Sequence, residues 1–327
     1  MRVLVTGGAG FIGSAYVRSV LSGKYPAFAD AEVVVFDLLT YAGSMTNLAP
    51  VAESERLRFV HGDIRDAAAV TAVMAGVDSV VHFAAESHVD RSIAGASDFV
   101  TTNVVGTQVL LQAALEAGVG RFVHVSTDEV YGSIDSGAWT EEEPLAPNSP
   151  YSASKAGSDL LARSYHRTHG LPVSITRCSN NYGPYQFPEK VIPLFVSNLL
   201  DGKKVPLYGD GRNVRDWLHV DDHCRGIQLV AENGRAGEVY NIGGGTELSN
   251  LELTHRLIAA VGADESMIEP VADRLGHDRR YCVDWSKIAG ELGYAPQVGF
   301  DDGLAATVEW YTEHRSWWEP LKHGSRV

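Results

Sequence analysis

Six short runs of β-branched and apolar residues, RVLVT, EVVVFD, LRFVHGD, DSVVHFA, RFVHVST and PVSITR, recur between residue 1 and about 177 with helical stretches between them. Parallel strands cannot be joined by a tight turn, so this alternation selects a parallel sheet with crossover helices. Each run is almost wholly apolar, as strands covered on both faces must be. The spacing therefore predicts an α/β fold built on a doubly wound parallel sheet. Beyond 177 the texture changes to loops rich in proline and aromatics, NNYGPYQFPEKVIP and KKVPLYGDGRNVRDWLHV, followed by a helical run, LSNLELTHRLIAAVG. GEVYNIGGG (237–245) reads as one more strand of the first sheet. The expected division is a large sheet-bearing part at 1–177 with a returning segment near 218–245, and a smaller mixed α/β part at 178–217 and 246–327.

A chain of 327 residues is long enough for two such cores. Its formal charge of −14 argues against general attraction to nucleic acid or to an anionic membrane, so a phosphate-bearing ligand needs a local basic pocket. The cysteines Cys178, Cys224 and Cys282 are widely spaced and odd in number, which suggests neither a disulfide framework nor a metal site. MRVLVTGG runs directly into a strand and a glycine turn, without a cleavable signal pattern, and no apolar run long enough to cross a membrane follows. A cytoplasmic protein is expected.

VLVTGGAGFIGSAYVRSVL has a strand, a glycine turn and an amphipathic helix in that order. Gly7, Gly10 and Gly13 are spaced to let the backbone approach a pyrophosphate at the positive end of a helix, which makes the sheet Rossmann-type. Glycines alone mark only a tight turn; the strand before and the helix after carry the ligand reading. Asp37 closes the second strand, where a carboxylate accepts from ribose hydroxyls and repels a 2′-phosphate. No Lys or Arg follows in LLTYAGS, so NAD is expected over NADP. Asp63 and Ile64 stand at another strand end, where adenine would lie, and the small Ala84 and Ala85 leave room for ribose or nicotinamide.

NSPYSASKAGSDLLARSY opens a helix, with Ser149 as its cap and Pro150 in the first turn. Tyr151 and Lys155, four apart, share a face. A phenol is a poor base at neutral pH, but a nearby ammonium and an oxidised nicotinamide both favour phenolate. Tyr151 can then take a proton from a substrate hydroxyl. Such a pair occurs on many surface helices and is informative here only behind a dinucleotide fold.

TGGAGFIG, Asp37, the Tyr151-x-x-x-Lys155 spacing and the strand order resemble the extended short-chain dehydrogenase/reductase family, whose members mostly act on nucleotide sugars. Thr127 matches the Ser/Thr that, in that family, hydrogen-bonds the reacting hydroxyl. The resemblance extends the cofactor set to Phe11, Ile12, Leu38, Leu39, Thr40, Phe83, Ser87, Thr102 and Asn181.

STDEVYG (126–132) places Asp128 and Glu129 side by side after an apolar strand. Two acids in a random loop are usually solvated. If a hexose C4 hydroxyl is oxidised to a ketone, however, the C5 proton becomes acidic and the C6 hydroxyl becomes a leaving group. Elimination needs a base at C5 and an acid at C6, and mutual repulsion in a poorly hydrated cleft keeps one proton on such a pair. Within the family, this stretch resembles the members that dehydrate dTDP-glucose to a 4-keto-6-deoxy sugar. By that resemblance Asp128 protonates the departing C6 hydroxyl, Glu129 removes the C5 proton, and Tyr151, supported by Lys155 and Thr127, deprotonates the C4 hydroxyl.

A sugar diphosphate must be neutralised locally, and Lys190, Arg215, Arg274, Arg279 and Arg280 are the candidates. The resemblance points to Ser87, Asn180, Lys190, Val191, Arg215 and Asn250 around sugar and diphosphate, to Pro206, Leu207 and Tyr208 near the base, and to Arg274 and His277 as further contacts. Two helices, near 98–117 and 151–169, are implied as a homodimer interface; covering the sheet is their alternative role. The competing readings are a dehydratase or 4-epimerase for another nucleotide sugar, and an NAD sensor without turnover, against which the Tyr/Lys pair counts.

Overall fold

The computed structural model describes residues 1–324; residues 325–327, which the expected smaller part includes, lie outside the described residues. Its strands are β1 (Arg2–Thr6), β2 (Glu32–Asp37), β3 (Leu57–His61), β4 (Ser79–His82), β5 (Arg121–Thr127), β6 (Val173–Cys178), β7 (Asn180–Tyr182), β8 (Val205–Tyr208), β9 (Val214–His219), β10 (Val239–Ile242), β11 (Glu247–Ser249) and β12 (Ile268–Val271). The helices are α1 (Phe11–Leu21), α2 (Ala67–Met74), α3 (Val89–Ala94), the turn α4 (Ser97–Phe99), α5 (Thr107–Ala117), α6 (Pro150–His169), α7 (Val191–Leu200), α8 (Val220–Asn233), α9 (Asn250–Val261), α10 (Ser286–Leu292), α11 (Phe300–Glu313) and α12 (Arg315–Gly324).

Seven parallel strands form the main sheet in the order β10-β6-β5-β4-β1-β2-β3. The six apolar runs supply its first six strands, and the 237–245 stretch supplies β10 beside β6. The runs are apolar because both faces are covered. Val3, Val5, Val33 and Val35 meet α1 and α8 on one side, while Leu4, Val34 and Val80 meet α2, α5 and α6 on the other. The strand order reverses between β1 and β4, so a crevice opens at the strands' C-terminal ends there, the usual ligand position of such sheets.

α6 begins with a capping box, Ser149 Oγ accepting from Ser152 N while Ser152 Oγ accepts from Ser149 N, and with Pro150 in the first turn. The helix expected near 98–117 is not uniform: α4 leads into a π-helical segment, Val100–Gly106, before α5. The wider π turn has a local partner, since Asn103 within it holds Glu86 N and Glu86 O at 2.8 and 2.9 Å.

A separate core is built from α7, α9, α11 and α12 around Phe195, Leu253, Leu257, Leu304, Tyr311 and Trp318. It carries a three-stranded sheet, β11-β9-β7, and the parallel pair β12-β8. β9 belongs to the small sheet, and the chain rejoins the main sheet with α8 and β10. No helix among the described residues is long and apolar enough to cross a membrane.

Candidate active site

The loops at the C-terminal ends of β1, β2, β4, β5 and β6 face the small sheet and α7 across one cleft of about 630 Å³. All the residues expected in the site line this cleft, except Leu39 and the phosphate candidates Arg279 and Arg280. Leu39 turns away because the backbone there is left-handed, at φ 53. Its N–H donates to Asp37 Oδ1 at 2.8 Å, and its side chain packs on the sheet core.

The glycine turn is shaped by contacts that leave no room for a side chain. Gly7 stands at φ 68 with its Cα against the backbone of Ala84, and a Cβ at Gly13 would collide with Gly7 O. α1 starts from Gly10 without a side-chain cap, so its first amides point free into the cleft. Asp37 Oδ2 accepts from Ala9 N at 2.9 Å, so the carboxylate that ends β2 also fixes the turn. Burial raises its pKa, and the two amide bonds, from Leu39 and Ala9, oppose that. This concave, side-chain-free turn at an uncapped helix start, with a buried carboxylate at the next strand end, fits a dinucleotide. Asp63 is already engaged: Arg65 grips it from Nε and Nη2, the latter at 2.6 Å.

Thr127 ends β5, and its Oγ1 accepts from Glu129 N at 3.3 Å, opening a short 3₁₀ turn (Asp128–Tyr131) that throws both acids to the cleft. Asp128 is 1% exposed; Oδ1 accepts from Thr127 Oγ1 at 3.3 Å and Oδ2 has no partner. Burial, and then the charge of Glu129, drive the Asp128 pKa far up. Burial raises Glu129 as well, but Lys190, Arg274 and Arg215 pull it back. The shifts are thus unequal: Asp128 is raised the more strongly, and the cations oppose the rise at Glu129, which favours the shared proton on Asp128 and the charge on Glu129.

Tyr151 and Lys155 reach the same wall from the first turns of α6. Lys155 Nζ donates to Val125 O at 2.8 Å, and burial lowers the ammonium to about 8, partly countered by Asp159. Burial and Glu129 push the Tyr151 phenol well above its ordinary value, opposed by a hydrogen bond from Thr127. Without a further positive charge the phenol stays protonated.

On the far wall, Lys190 Nζ donates to Ser87 O at 2.6 Å, tying the start of α7 to the loop after β4. Arg215 is 4% exposed, lies 4.1 Å over the Tyr281 ring and donates to Val214 O and Asp278 O. Arg274 pairs with Asp90 Oδ1 at 3.5 Å across the mouth of the cleft, with its Nε buried and unpartnered. His277 is held by Asp273 at 2.6 Å and lies edge-on to Tyr208. Arg279 and Arg280, also phosphate candidates by sequence, are not on this wall; ion pairs to Asp210 and Glu247 hold them elsewhere.

The sequence reading missed Arg65, Glu86, His88, Asp90, Cys178, Phe187 and Glu189, which all line the cleft. Arg65 had a signal, two residues from Asp63 in HGDIRD. The others arrive through tertiary contacts such as Asp90 with Arg274.

The model of the GDP-mannose 4,6 dehydratase family matches residues 4–307, and the chain belongs to that family of extended short-chain dehydrogenase/reductases. It is 62% identical over 322 residues to the dTDP-glucose 4,6-dehydratase of Streptomyces niveus, covering 98% of this chain and 96% of that one. DesIV of Streptomyces venezuelae, a dTDP-glucose 4,6-dehydratase solved with NAD bound, superposes with a TM-score of 0.97 at 69% identity, over 98% of this chain and 100% of DesIV. The dTDP-glucose 4,6-dehydratase of Bacillus anthracis, in complex with NAD, gives 0.91 at 48% identity, over 98% and 99% of the two chains.

Proposed function

We propose that this protein is an NAD-dependent hydro-lyase that converts dTDP-glucose to dTDP-4-keto-6-deoxyglucose. The observation that carries the reading is the meeting of Asp128, Glu129, Tyr151 and Lys155 on one wall of one cleft, with Lys190, Arg274 and Arg215 acting on Glu129 to oppose the rise that burial gives its pKa. The relatives named above, dTDP-glucose 4,6-dehydratases over nearly the whole chain, support it.

Gly7, Gly10 and Gly13 with the amides of Phe11 and Ile12 would hold the cofactor pyrophosphate, and Asp37, Leu38 and Thr40 its ribose. Asp63 and Ile64 would face adenine, and Phe83, Ala84, Ala85, Ser87, Thr102 and Asn181 the nicotinamide end. Bound NAD supplies reversible hydride transfer, out of the sugar at C4 and back to it at C6, and its positive ring favours a phenolate at Tyr151. The Lys155 ammonium stabilises the Tyr151 phenolate, which takes the proton of the C4 hydroxyl and becomes a neutral phenol. Glu129 removes the C5 proton made acidic by the C4 ketone. Asp128 protonates the C6 hydroxyl as it departs, so that water leaves, and the proton taken up by Glu129 goes back to C5 when C6 regains its hydrogen.

Arg215, Lys190 and Arg274, together with the uncapped start of α7 at Val191, would neutralise the diphosphate. Asn180 and Asn250 would orient the sugar, and Pro206, Leu207, Tyr208 and His277 the base side. We take 1–177 with the return near 218–245 as the NAD-binding part and the remainder as the substrate-binding part. We read the protein as cytoplasmic, which its three free thiols support. We also read it as a homodimer through the helical stretch 98–117 and α6, where Val100 and Val105 of the π-helical segment and Leu160 of α6 stand exposed on neighbouring elements.

Incubation with dTDP-glucose should yield a sugar nucleotide lighter by one water, with no net reduced cofactor, and a panel of UDP- and GDP-sugars should turn over far more slowly. Recovery of unchanged sugar, or of its C4 epimer, rejects the assignment.

A further inference from the structure

One junction far from the reacting atoms ties the C-terminal helix to the glycine turn. Trp317, in α12, donates from Nε1 to Asn47 Oδ1 at 3.1 Å. Asn47 is 2% exposed, and its Nδ2 donates to Ala9 O at 2.8 Å. Ala9 N donates in turn to Asp37 Oδ2 at 2.9 Å. The Ala9 peptide, in the middle of the turn, is therefore clamped from both sides. On one side is the carboxylate of the next strand; on the other, Ala9 O accepts from Ser44 N at 3.0 Å and from a buried amide whose orientation is set by a tryptophan of the opposite core.

Packing makes the junction rigid. Tyr185 is held at φ 67, a left-handed conformation that a bulky residue adopts only under constraint. Its ring lies 4.6 Å from that of Trp310, 5.6 Å from that of Trp317, and 4.1 Å from the Arg18 guanidinium. Arg18, on α1, donates to Asn47 O at 2.6 Å and so closes the circuit. An Asn amide with both ends engaged has one orientation. If Oδ1 loses its donor, the amide is free to turn, and Ala9 O then loses Nδ2 and keeps only the Ser44 N–H.

We propose that Trp317 is a positioning residue for the cofactor, acting through Asn47 to hold the Ala9 peptide and thereby the glycine turn in its pyrophosphate-ready shape. Trp317 does not line the cleft, so the effect falls on NAD retention and not on the chemical step. The inference rests on the NAD-dependent reading above and assigns the small core a part in gripping a cofactor that the large sheet carries.

The test is release of radiolabelled NAD from loaded protein during a chase with unlabelled NAD. Trp317→Phe keeps an aromatic ring against Tyr185 and deletes the Nε1–H donor together with part of the indole; release should accelerate about five- to tenfold, the scale of one hydrogen bond. Asn47→Leu keeps about the same side-chain volume and removes the donor to Ala9 O, and should accelerate release to at least the same extent. In both variants affinity for thymidine diphosphate should stay within about twofold, because the diphosphate wall is untouched. Unchanged NAD release in the two variants overturns the proposal. So does a parallel loss of NAD retention, thymidine diphosphate affinity and melting temperature, which would mark Trp317 as merely structural. An unaltered protein that retains no NAD at all removes the functional reading itself, and this inference with it.

Discussion

Separating the two acids by what each variant can still do gives the sharpest test of the site. Asp128 is 1% exposed and keeps its proton because burial and Glu129 both oppose its ionisation, so Asp128→Asn preserves shape and polarity while removing the proton that C6–O cleavage requires. A positioned general acid is worth about 10²–10⁴ in rate, or about 2.7–5.4 kcal/mol of barrier. Product formation should therefore fall by about that factor. Glu129 is untouched in this variant, and the cations beside it, Lys190, Arg274 and Arg215, still favour its ionised form. Proton removal at C5 should therefore continue. In heavy water, dTDP-glucose recovered from the Asp128→Asn reaction should carry deuterium at C5, read by NMR. Glu129→Gln removes the base, so it should lose product to a similar degree and leave the recovered sugar free of C5 deuterium. Loss of C5 exchange in Asp128→Asn as complete as in Glu129→Gln would falsify the division of labour. Near-normal turnover in both variants would remove the pair from the reaction altogether.

The raised pKa of Asp128 also has a stability consequence. A carboxyl whose folded pKa exceeds its unfolded one loses stability as pH rises between the two values, so Asp128→Asn should melt higher than the parent at pH about 7, with the gap closing toward pH about 4. A calorimetric melting series checks this, and a variant that melts lower at neutral pH contradicts it. Behind Lys155, the fully buried Asp159 accepts from Arg177 Nε at 2.9 Å and lies 3.3 Å from His124 Nε2. Asp159→Asn strands the guanidinium and should cost about 3–5 kcal/mol in denaturant titration; a loss below about 1 kcal/mol argues against the pair. Burial raises the Asp159 pKa, but Arg177 and His124 outweigh it and leave it at about 2, so the pair's contribution holds above pH about 4 and fades as pH falls toward 2. Lys190 leads the cations that keep Glu129 ionised, so Lys190→Met should move the acidic limb of the pH–rate profile to higher pH. An unmoved limb, measured with saturating sugar nucleotide, would show that Lys190 does not tune the base.

What could be read in the chain and what could not divides along contact distance in sequence. The strands of the main sheet were legible because burial on both faces writes itself locally, as RVLVT and EVVVFD do, and because a strand, a glycine turn and a helix occupy neighbouring residues. The Asp128/Glu129 turn and the Tyr151/Lys155 helix were legible for the same reason: each is a single local element that folding carries to the sheet edge. Leu39 marks the limit, since a left-handed backbone next to Asp37 turns one side chain of an otherwise cleft-lining stretch into the core. Arg279 and Arg280 show how a charge is reassigned by partners far away in sequence. Asp210 and Glu247 claim them, while Arg274, only a few residues earlier, crosses the cleft to Asp90. The Trp317–Asn47–Ala9 chain belongs to this second class. Its members are 270 and 38 positions apart, and only Ala9 lies in a motif. Local pattern therefore specifies the groups that do chemistry, whereas their tuning by Lys190 and Arg215, and the grip on the cofactor turn, arise only when the two cores close on each other. Variants at the tuning positions should accordingly shift pH limbs, release rates and stability before they abolish turnover, a pattern opposite to that expected at Asp128, Glu129 and Tyr151.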